Sequence, residues 1–410
     1  MNELRNILPE LISRVRTALS MESYVDDMQV MEKIEDIYFS EFATGSEPYE
    51  EIKELLDICF YKIRRRLGIL QPLLEDSEVT EIMVNGPDNV FIEKNGMLIR
   101  NSAVFESIRE LEDVMQNIAG DVHREINELN PIVDCRLPDG SRVNGVYHNV
   151  AVNGPILTIR KFSDRHFRLE NLVENGTMTE ECRILLEALV EAGYNMFISG
   201  GTSSGKTTLL DALSYAVPEN ERVIVIEDSM ELKLDSIENI VHMESKKGNQ
   251  DGMGKVTMSD LIRTSLRMRP DRIIVGEVRG DEVVPMLQAM NTGHNGSLST
   301  GHANSISGML KRLETLYLSA LPVSLDAIRL QIAEGIDFMI HVERLHGGKR
   351  TVTDISELIG YRDGEYVLNR IFEYSDGVLV RTDNLIHNTR KIRLKGKIFE
   401  DELRKDRFIR

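Results

Sequence analysis

The sequence predicts an α/β protein in which a helical segment and a small α+β domain precede a larger α/β domain. Apolar residues recur at helical spacing near the amino terminus. From about residue 79, short runs rich in Val and Ile are separated by Asn-Gly, Gly-Pro and Asp-Gly turns, which is typical of strands. Beyond residue 166, helical patterns alternate with apolar strands, as expected for a largely parallel sheet.

The composition limits the class of protein before any motif is considered. The 410 residues are 41% hydrophobic, which is typical of a globular protein with two or three domains. No apolar run approaches the ~18 residues that span a bilayer, and the charged amino terminus is unlike a secretory signal, so we expect a cytoplasmic protein. The net charge of −18 argues against a general affinity for nucleic acid. The cysteines Cys59, Cys135 and Cys182 lie far apart and predict neither disulfides nor a zinc site.

Residues 1–65 and 66–165 are the first predicted parts of the chain. Residues 1–60 carry 14 Asp or Glu against 5 Lys or Arg, so this helical segment is acidic. Its apolar positions at helical spacing are Leu4, Ile7, Leu8, Leu11, Ile12, Val15 and Leu19. Such a segment either packs on its own chain or offers a docking surface to a partner. In the α+β domain, strand patterns at residues 79–100 and 141–162 flank a helical stretch.

Residues 166–380 and 381–410 complete the predicted organisation. The larger domain opens with the helical segment TEECRILLEALVEAG and the apolar strand NMFIS, and strands and helices continue to alternate. The final segment is basic, since residues 390–410 carry 9 basic against 4 acidic residues. We interpret it first as a solvated tail, and second as a contact for anionic lipid or an acidic neighbour.

A glycine-rich loop, GGTSSGKTT, occupies residues 200–208 between an apolar strand and a helix. It matches G-x-x-x-x-G-K-[ST] in the strand–loop–helix context that this motif requires. The loop amides and the helix N-terminus would face a polyphosphate, Lys206 would reach the β and γ oxygens, and the Thr207 hydroxyl would bind Mg²⁺. The predicted nucleotide-binding residues are Gly201, Thr202, Ser203, Ser204, Gly205, Lys206, Thr207 and Thr208.

Acidic residues follow two later strands of the same domain. The strand RVIVIE ends in Glu227, with Asp228 and Glu231 after it, and the strand RIIVGE ends in Glu277. Ligands of open α/β sheets bind outside the carboxyl ends of the strands, so these acids are candidates for catalysis. A solvated acid at a strand end is the alternative, and it carries most weight for Glu231.

Two histidines lie in the segment NTGHNGSLSTGHANS, residues 291–305. Its many Gly, Ser and Thr residues make His294 and His302 poor candidates for core positions. A metal site is disfavoured because the segment contains neither Cys nor an acidic third ligand. Sensing of the terminal phosphate is the preferred interpretation.

In this order, the motifs resemble the secretion-superfamily hexameric ATPases, which power type II and type IV secretion and pilus assembly and retraction. The resemblance covers about residues 75–375: the glycine-rich loop, an aspartate box similar to RVIVIEDSMEL, a Walker B strand similar to LRMRPDRIIVGEVRG and a histidine box similar to TGHNGSLSTGHANS. It implies a RecA-like ATPase domain preceded by a PAS-like domain. Three segments, VTEIMVNGPDNVFIEKNGML, NPIVDCRLPDGSRVNGV and GPILTIRKF, are most similar to the branch that assembles Tad/Flp-type pili, which is related to the conjugative type IV secretion motors.

The resemblance also implies roles for individual residues. It assigns Gly205, Lys206 and Thr207 to phosphates and Mg²⁺, Glu227 and Asp228 to the acidic box, Glu277 to activation of water, and His294 and His302 to sensing of the γ-phosphate. Arg142 and Arg160 of the smaller domain would reach the phosphates of ATP when that domain closes. The expected assembly is a homo-oligomer, a ring of six, that works with inner-membrane platform proteins at the inner face of the cell membrane and binds no nucleic acid.

Some positions depart from related proteins, and other functions remain as alternatives. Ser203 stands where such loops commonly have glycine, so its backbone must avoid a positive φ or accept strain. Gly276 stands where many P-loop ATPases have an aspartate, and the four-cysteine zinc motif of some relatives is absent. A guanine-specific [NT]-K-x-D motif is also absent. A small-molecule kinase, a conjugative secretion ATPase and a hexameric nucleic-acid translocase are the alternatives to a pilus motor.

Overall fold

The computed structural model divides the chain into two compact units, Met1–Asp164 and Arg165–Arg410. It describes residues 2–20, 25–43, 45, 47–94, 96–162, 167–232, 234–246, 248 and 253–410. Each unit has hydrophobic clusters of its own. Within the described residues, no helix has the length and apolar character needed to cross a membrane.

The first unit begins with the helices α1 (Asn2–Leu19), α2 (Asp27–Ile37) and α3 (Tyr49–Arg64). A capping box begins α2, because the side chains of Asp26 and Gln29 each accept a hydrogen bond from the other residue's backbone N–H. The apolar faces of the helices bury one another in a cluster of Leu8, Leu11, Val15, Val30, Ile34, Tyr38, Leu55, Leu56 and Cys59. The apolar residues of α1 from Ile7 onward therefore pack against other helices of the same unit.

An antiparallel sheet follows these helices in the first unit. Its strands are β1 (Val79–Asn85), β2 (Val90–Lys94), β3 (Met97–Arg100), β4 (Ile132–Arg136), β5 (Arg142–Val146) and β6 (Ile156–Arg160), and its helices are α4 (Gln71–Glu75) and α5 (Ile108–Asp121). The strand order is β3-β2-β1-β6-β5-β4. Gly145 lets α5 approach the sheet closely, since a Cβ there would lie 3.2 Å from Met115 Cε.

The second unit is built on a large mixed sheet. Its strands are β7 (Met196–Gly200), β8 (Val223–Glu227), β9 (Ile240–Glu244), β10 (Arg272–Val275), β11 (Leu298–His302), β12 (Phe338–Arg344), β13 (Arg350–Arg362), β14 (Glu365–Ser375) and β15 (Val378–Arg381). The strand order is β15-β14-β13-β12-β7-β11-β10-β8-β9. Strands β12 to β9 in this order run parallel, and β13, β14 and β15 extend the sheet as an antiparallel meander.

Helices cover this sheet on both faces, so its central strands are buried throughout. The helices are α6 (Leu169–Glu174), α7 (Glu180–Ala192), α8 (Lys206–Ser214), α9 (Met258–Ser265), α10 (Val283–Asn291), α11 (Ile306–Ala320), α12 (Leu325–Gly335), α13 (Arg390–Lys395) and α14 (Lys397–Lys405). Many begin with a side-chain cap; the Thr179 hydroxyl, for example, accepts from the N–H of Cys182 at the start of α7. The predicted parallel α/β sheet is confirmed.

The basic carboxyl-terminal segment is folded onto the second unit. Ile392 on α13, Leu403 on α14 and Phe408 beyond it are buried in the core. Lys391 Nζ lies 2.6 Å from Asp337 Oδ2. The interpretation of this segment as a solvated tail is wrong, because its apolar residues are buried while many of its charges stay exposed.

A buried ion pair anchors the amino ends of the parallel strands. Arg272, the first residue of β10, is only 1% exposed, and its Nη2 donates to Glu221 Oε1 at 3.2 Å. A Cβ on Gly296, just before β11, would lie 2.6 Å from Arg272 Nη1, so the chain passes directly over the guanidinium. The pair therefore holds the segments that precede β8, β10 and β11.

Replacing Glu221 with Ala should lower the free energy of unfolding by about 3 kcal/mol, because a buried guanidinium loses its carboxylate. Equilibrium unfolding in urea measures the change. Glu219→Ala is the matched control, since it removes an exposed carboxylate two residues earlier. Equal stability of the two variants would show that the ion pair contributes no stability.

Candidate functional site

The glycine-rich loop joins the buried strand β7 to α8, which begins at Lys206. Glycine is required at both ends of the loop. A Cβ on Gly200 would lie 2.3 Å from the carbonyl oxygen of Val342, and Gly205 has a φ of +98°. The tight turn directs the amides of the first turn of α8 toward one place, which suits a bound anion.

Ser203 takes a backbone conformation that glycine adopts without strain. Its φ is +57°, in the left-handed region, which costs about 1–2 kcal/mol for a residue with a side chain. Of the two expectations for this position, the structure shows the strained one. The adjacent Ser204 hydroxyl is buried and has no hydrogen-bond partner among the described residues. A buried polar group of this kind suits a ligand oxygen.

Lys206 lies beneath the loop and is 6% exposed. Its Nζ donates to the carbonyl oxygens of Gly200 at 3.2 Å and Gly201 at 2.7 Å, and lies 3.2 Å from His302 Nδ1. Burial lowers the pKa of this ammonium below its ordinary value, although the nearby carboxylate of Glu277 acts in the opposite direction. The lysine is thus held at the loop by weak neutral partners.

Glu277 follows β10 after Gly276 and faces the same place. Its Oε2 accepts from Arg279 Nη2 at 2.7 Å, and its Oε1 lies 2.9 Å from His302 Nε2. Burial alone would raise the pKa of this carboxyl, but the hydrogen bond and charge of Arg279 outweigh it, so the net pKa is lowered. Glu277 is therefore an ionised carboxylate at neutral pH.

His302, the last residue of β11, bridges the lysine and the glutamate. Burial lowers the pKa of its imidazole, so the ring is neutral at pH 7. The ammonium of Lys206 can only donate, so Nδ1 accepts from it and the ring proton lies on Nε2, 2.9 Å from Glu277 Oε1. Lys206, His302, Glu277 and Arg279 thus form a continuous chain of contacts, which we call the Lys–His–Glu–Arg chain.

The predicted acidic box, Glu227 and Asp228, lies beside the Lys–His–Glu–Arg chain. Glu227 is 5% exposed, and its carboxylate accepts from the backbone N–H of Glu231 at 3.0 Å and of Leu232 at 3.3 Å. It therefore shapes the turn after β8. Asp228 is more exposed; its Oδ1 accepts from the Ser245 hydroxyl at 2.8 Å, and its Oδ2 lies 3.8 Å from Arg279 Nη1.

The structure places His294 away from His302 within the second unit, and it places Arg142 and Arg160 in the first unit. His294 precedes β11, at the end of the strand opposite His302, and its Nδ1 lies 3.3 Å from the Ala289 carbonyl oxygen. Arg142 and Arg160 belong to the first unit, where they stand directly opposite each other on β5 and β6. The sequence reasoning missed Arg279, which occupies an ordinary turn in GEVRG.

The groups at the loop fit a nucleoside triphosphate with Mg²⁺. The α8 N-terminus, Lys206 and the Ser204 hydroxyl supply donors for phosphate oxygens. Thr207, in the first turn of α8, offers a hydroxyl for the metal. Mg²⁺ is usually held by one or two protein groups together with substrate phosphates and water, which agrees with this donor set.

Comparison with known proteins gives related sequences and a related fold. The model of the family described as Type II/IV secretion system protein matches residues 64–345. An uncharacterized protein of Methanocaldococcus jannaschii is 42% identical over 250 residues, which are 58% of this chain but 34% of that protein. A putative conjugal transfer protein of Mycobacterium tuberculosis strain H37Rv is 35% identical over 298 residues, covering 71% of this chain and 84% of that protein.

A solved structure, that of the ATPase DotB from Legionella pneumophila, also resembles this chain. The two share 22% identity with a TM-score of 0.51, covering 72% of this chain and 81% of DotB. At this identity the likeness shows the fold alone, and it agrees with the predicted α/β architecture with an ATPase-type sheet.

Protonation of His302 should destabilise the fold in acid. Because its pKa is lowered in the folded protein, the unfolded chain binds a proton first as the pH falls below about 6.5, and the free energy of unfolding then decreases. His302→Gln, whose amide can accept from Lys206 and donate to Glu277, should lose less stability between pH 7.5 and 5.5 on urea unfolding. His294→Gln is the control and should follow the parent. Parallel curves for all three proteins would contradict the assigned neutral state.

Proposed function

The chain belongs to the type II/IV secretion system protein family, and on this premise we propose that it hydrolyses ATP to power assembly of a Tad/Flp-type pilus, or protein secretion, through an inner-membrane platform. The observation that carries the proposal is the Lys–His–Glu–Arg chain at the glycine-rich loop. It connects a lysine suited to phosphate with an ionised carboxylate suited to water. This pairing is what hydrolysis of a phosphoanhydride requires.

Residues of this protein would each carry out one part of the hydrolysis. Mg²⁺, held through Thr207, would neutralise charge on the phosphates. Lys206 exchanges the carbonyl oxygens of Gly200 and Gly201 for phosphate oxygens, which are stronger acceptors. Glu277 orients the attacking water and takes up its proton.

His302 would report the presence of the terminal phosphate. When Lys206 turns to the phosphates, His302 Nδ1 loses its donor while Nε2 keeps its contact with Glu277. Protonation of Nδ1 then makes the imidazole a donor toward the γ-phosphate. The carboxylate of Asp228 attracts the guanidinium of Arg279 and so helps to keep Arg279 beside Glu277. Glu227 accepts hydrogen bonds from the backbone of the turn that follows Asp228. The position of His294 does not support the same role at this chain's own loop.

A row of arginines supports a phosphate-binding role for the first unit. In the sheet register, Arg136 stands opposite Arg142, and Arg142 stands opposite Arg160. Arg160 also stands opposite Glu81 on β1. Cross-strand neighbours share one face of the sheet, so three cationic side chains are concentrated there, which is the kind of surface that attracts an anion. We propose that Arg142 and Arg160 bind the phosphates of ATP and release them after hydrolysis, which would make movement of the unit depend on the γ-phosphate.

Pilus assembly and conjugative secretion are the two candidate pathways, and translocation of nucleic acid is disfavoured. The Tad/Flp assignment rests on the sequence segments of residues 79–98, 130–146 and 154–162. The relative named as a putative conjugal transfer protein, matched over most of its length, favours a conjugative type IV secretion motor as the second candidate. The net charge of −18 counts against a nucleic-acid translocase. Neighbouring genes for prepilin-like and polytopic platform proteins would favour the pilus role. In either pathway we propose a cytoplasmic motor, peripheral at the membrane through its partners.

Binding and chemistry should separate in two variants. Lys206→Ala should abolish ATP hydrolysis, because the phosphates lose their fixed cation. Glu277→Gln should still bind ATP but hydrolyse it more slowly by about a hundredfold or more, since the water loses its base. Phosphate release and equilibrium ATP binding are measured on both. Parental turnover in Lys206→Ala, or loss of binding with unchanged turnover in Glu277→Gln, would contradict these roles.

The proposed motor should assemble into a ring of six in response to ATP. A ligand that binds the assembled form better shifts the equilibrium toward it, so ATP or a non-hydrolysable analogue should raise the mass measured by light scattering. Arg142→Ala and Arg160→Ala should remove that shift while nucleotide still binds. A monomer whose specific activity is independent of protein concentration would contradict the motor and favour a kinase-like enzyme.

A further inference from the structure

The hairpin of β12 and β13 contacts the glycine-rich loop through Arg350. Arg350, the first residue of β13, donates from Nε to the backbone carbonyl oxygen of Ser203 at 3.2 Å. Its Cδ lies 3.3 Å from where a Cβ on Gly205 would stand. The methylene groups of the arginine therefore cover Gly205, and its guanidinium donates a hydrogen bond to Ser203.

This hydrogen bond acts on the strained part of the loop. The carbonyl of Ser203 and the N–H of Ser204 belong to one planar peptide unit, and they point in opposite directions. When Arg350 holds the carbonyl on its own side of the loop, the Ser204 N–H is turned to the opposite side. Backbone N–H groups of such glycine-rich loops are the donors that bind phosphate.

The same contact explains how the loop functions with serine in a glycine position. Ser203 has a φ of +57°, which a side chain disfavours, so the peptide after it would relax without an external restraint. A hydrogen bond from a charged donor is stronger than one between neutral groups. Arg350 is exposed, so its guanidinium reaches the loop without burying an unpaired charge.

We propose that Arg350 is a positioning residue for nucleotide binding: it holds the Ser203–Ser204 peptide in the orientation that receives phosphate. This inference rests on the proposed function, because it needs the loop to bind a nucleotide. Arg350 acts through the loop and takes no part in the chemical step. Its loss should weaken ATP binding more than turnover at saturation.

Four variants test this role: Arg350→Ala, Arg350→Lys, Ser203→Gly and the double variant Ser203→Gly/Arg350→Ala. Arg344→Ala is the matched control, because Arg344 is the exposed cross-strand partner of Arg350 at the end of β12. For each protein, the ATP affinity with Mg²⁺, the KM and kcat for ATP, and the melting temperature are measured.

Arg350→Ala should weaken ATP affinity and raise KM about tenfold, the usual scale for one charged hydrogen bond, with kcat and melting temperature little changed. Arg350→Lys should recover part of the affinity, since its ammonium still donates. In the Ser203→Gly background, the effect of Arg350→Ala should shrink to about threefold or less, because glycine adopts the required conformation unaided. Arg344→Ala should match the parent.

Unchanged ATP affinity in Arg350→Ala would overturn the inference while leaving the proposed function intact. An equal loss in the parental and Ser203→Gly backgrounds would also overturn it, because Arg350 would then act on the nucleotide directly and not through the loop. If the parent protein neither bound nor hydrolysed ATP, the proposed function would fail first, and the inference with it.

Discussion

The neutral imidazole of His302 is the contact on which the rest of the site depends. It stands between the buried ammonium of Lys206 and the half-buried carboxylate of Glu277, and only the neutral ring can accept from the ammonium at Nδ1 while it carries its proton on Nε2, beside the carboxylate. The register of the sheet sets this position, because His302 lies opposite Gly200 where β11 runs parallel to β7. A slip of one residue would turn the imidazole to the other face of the sheet. The parallel core therefore fixes the geometry of these contacts.

Burial destabilises the charged forms of Lys206 and Glu277, and it also strengthens their interaction with any charged partner. Lys206 is buried and Glu277 is half-buried, and each would favour its neutral form if it had no partner. Arg279 keeps the carboxylate ionised, while the hydrogen-bond partners of Lys206 in the described part of the chain are two carbonyl oxygens and the imidazole. The lysine is thus the less satisfied of the two charges. A polyphosphate offers it a better partner, so the energetic asymmetry of the site favours ligand binding at the loop.

The sequence predicted the parts of this molecule that depend on local pattern. The glycine-rich loop, the acids at strand ends and the parallel α/β sheet follow from spacing and period, so they could be placed before the structure was known. The folded carboxyl-terminal segment was misread, because its basic composition hides apolar residues such as Phe408 that fill a core formed far away in sequence. Arg279 and Arg350 were missed for a related reason. Ser203 and Arg350 are 147 positions apart, and no periodic pattern reports a contact at that separation.

Strain at the loop and its restraint are of similar size. The left-handed conformation of Ser203 costs about 1–2 kcal/mol, and a hydrogen bond from a charged donor contributes about 1.5–3 kcal/mol. The contact with Arg350 is therefore large enough to offset the strain, although solvent exposure of the arginine reduces its share. A glycine at this position would remove the strain and most of the need for the restraint. Serine with a restraining arginine gives one loop shape, and a preorganised shape is what phosphate binding requires.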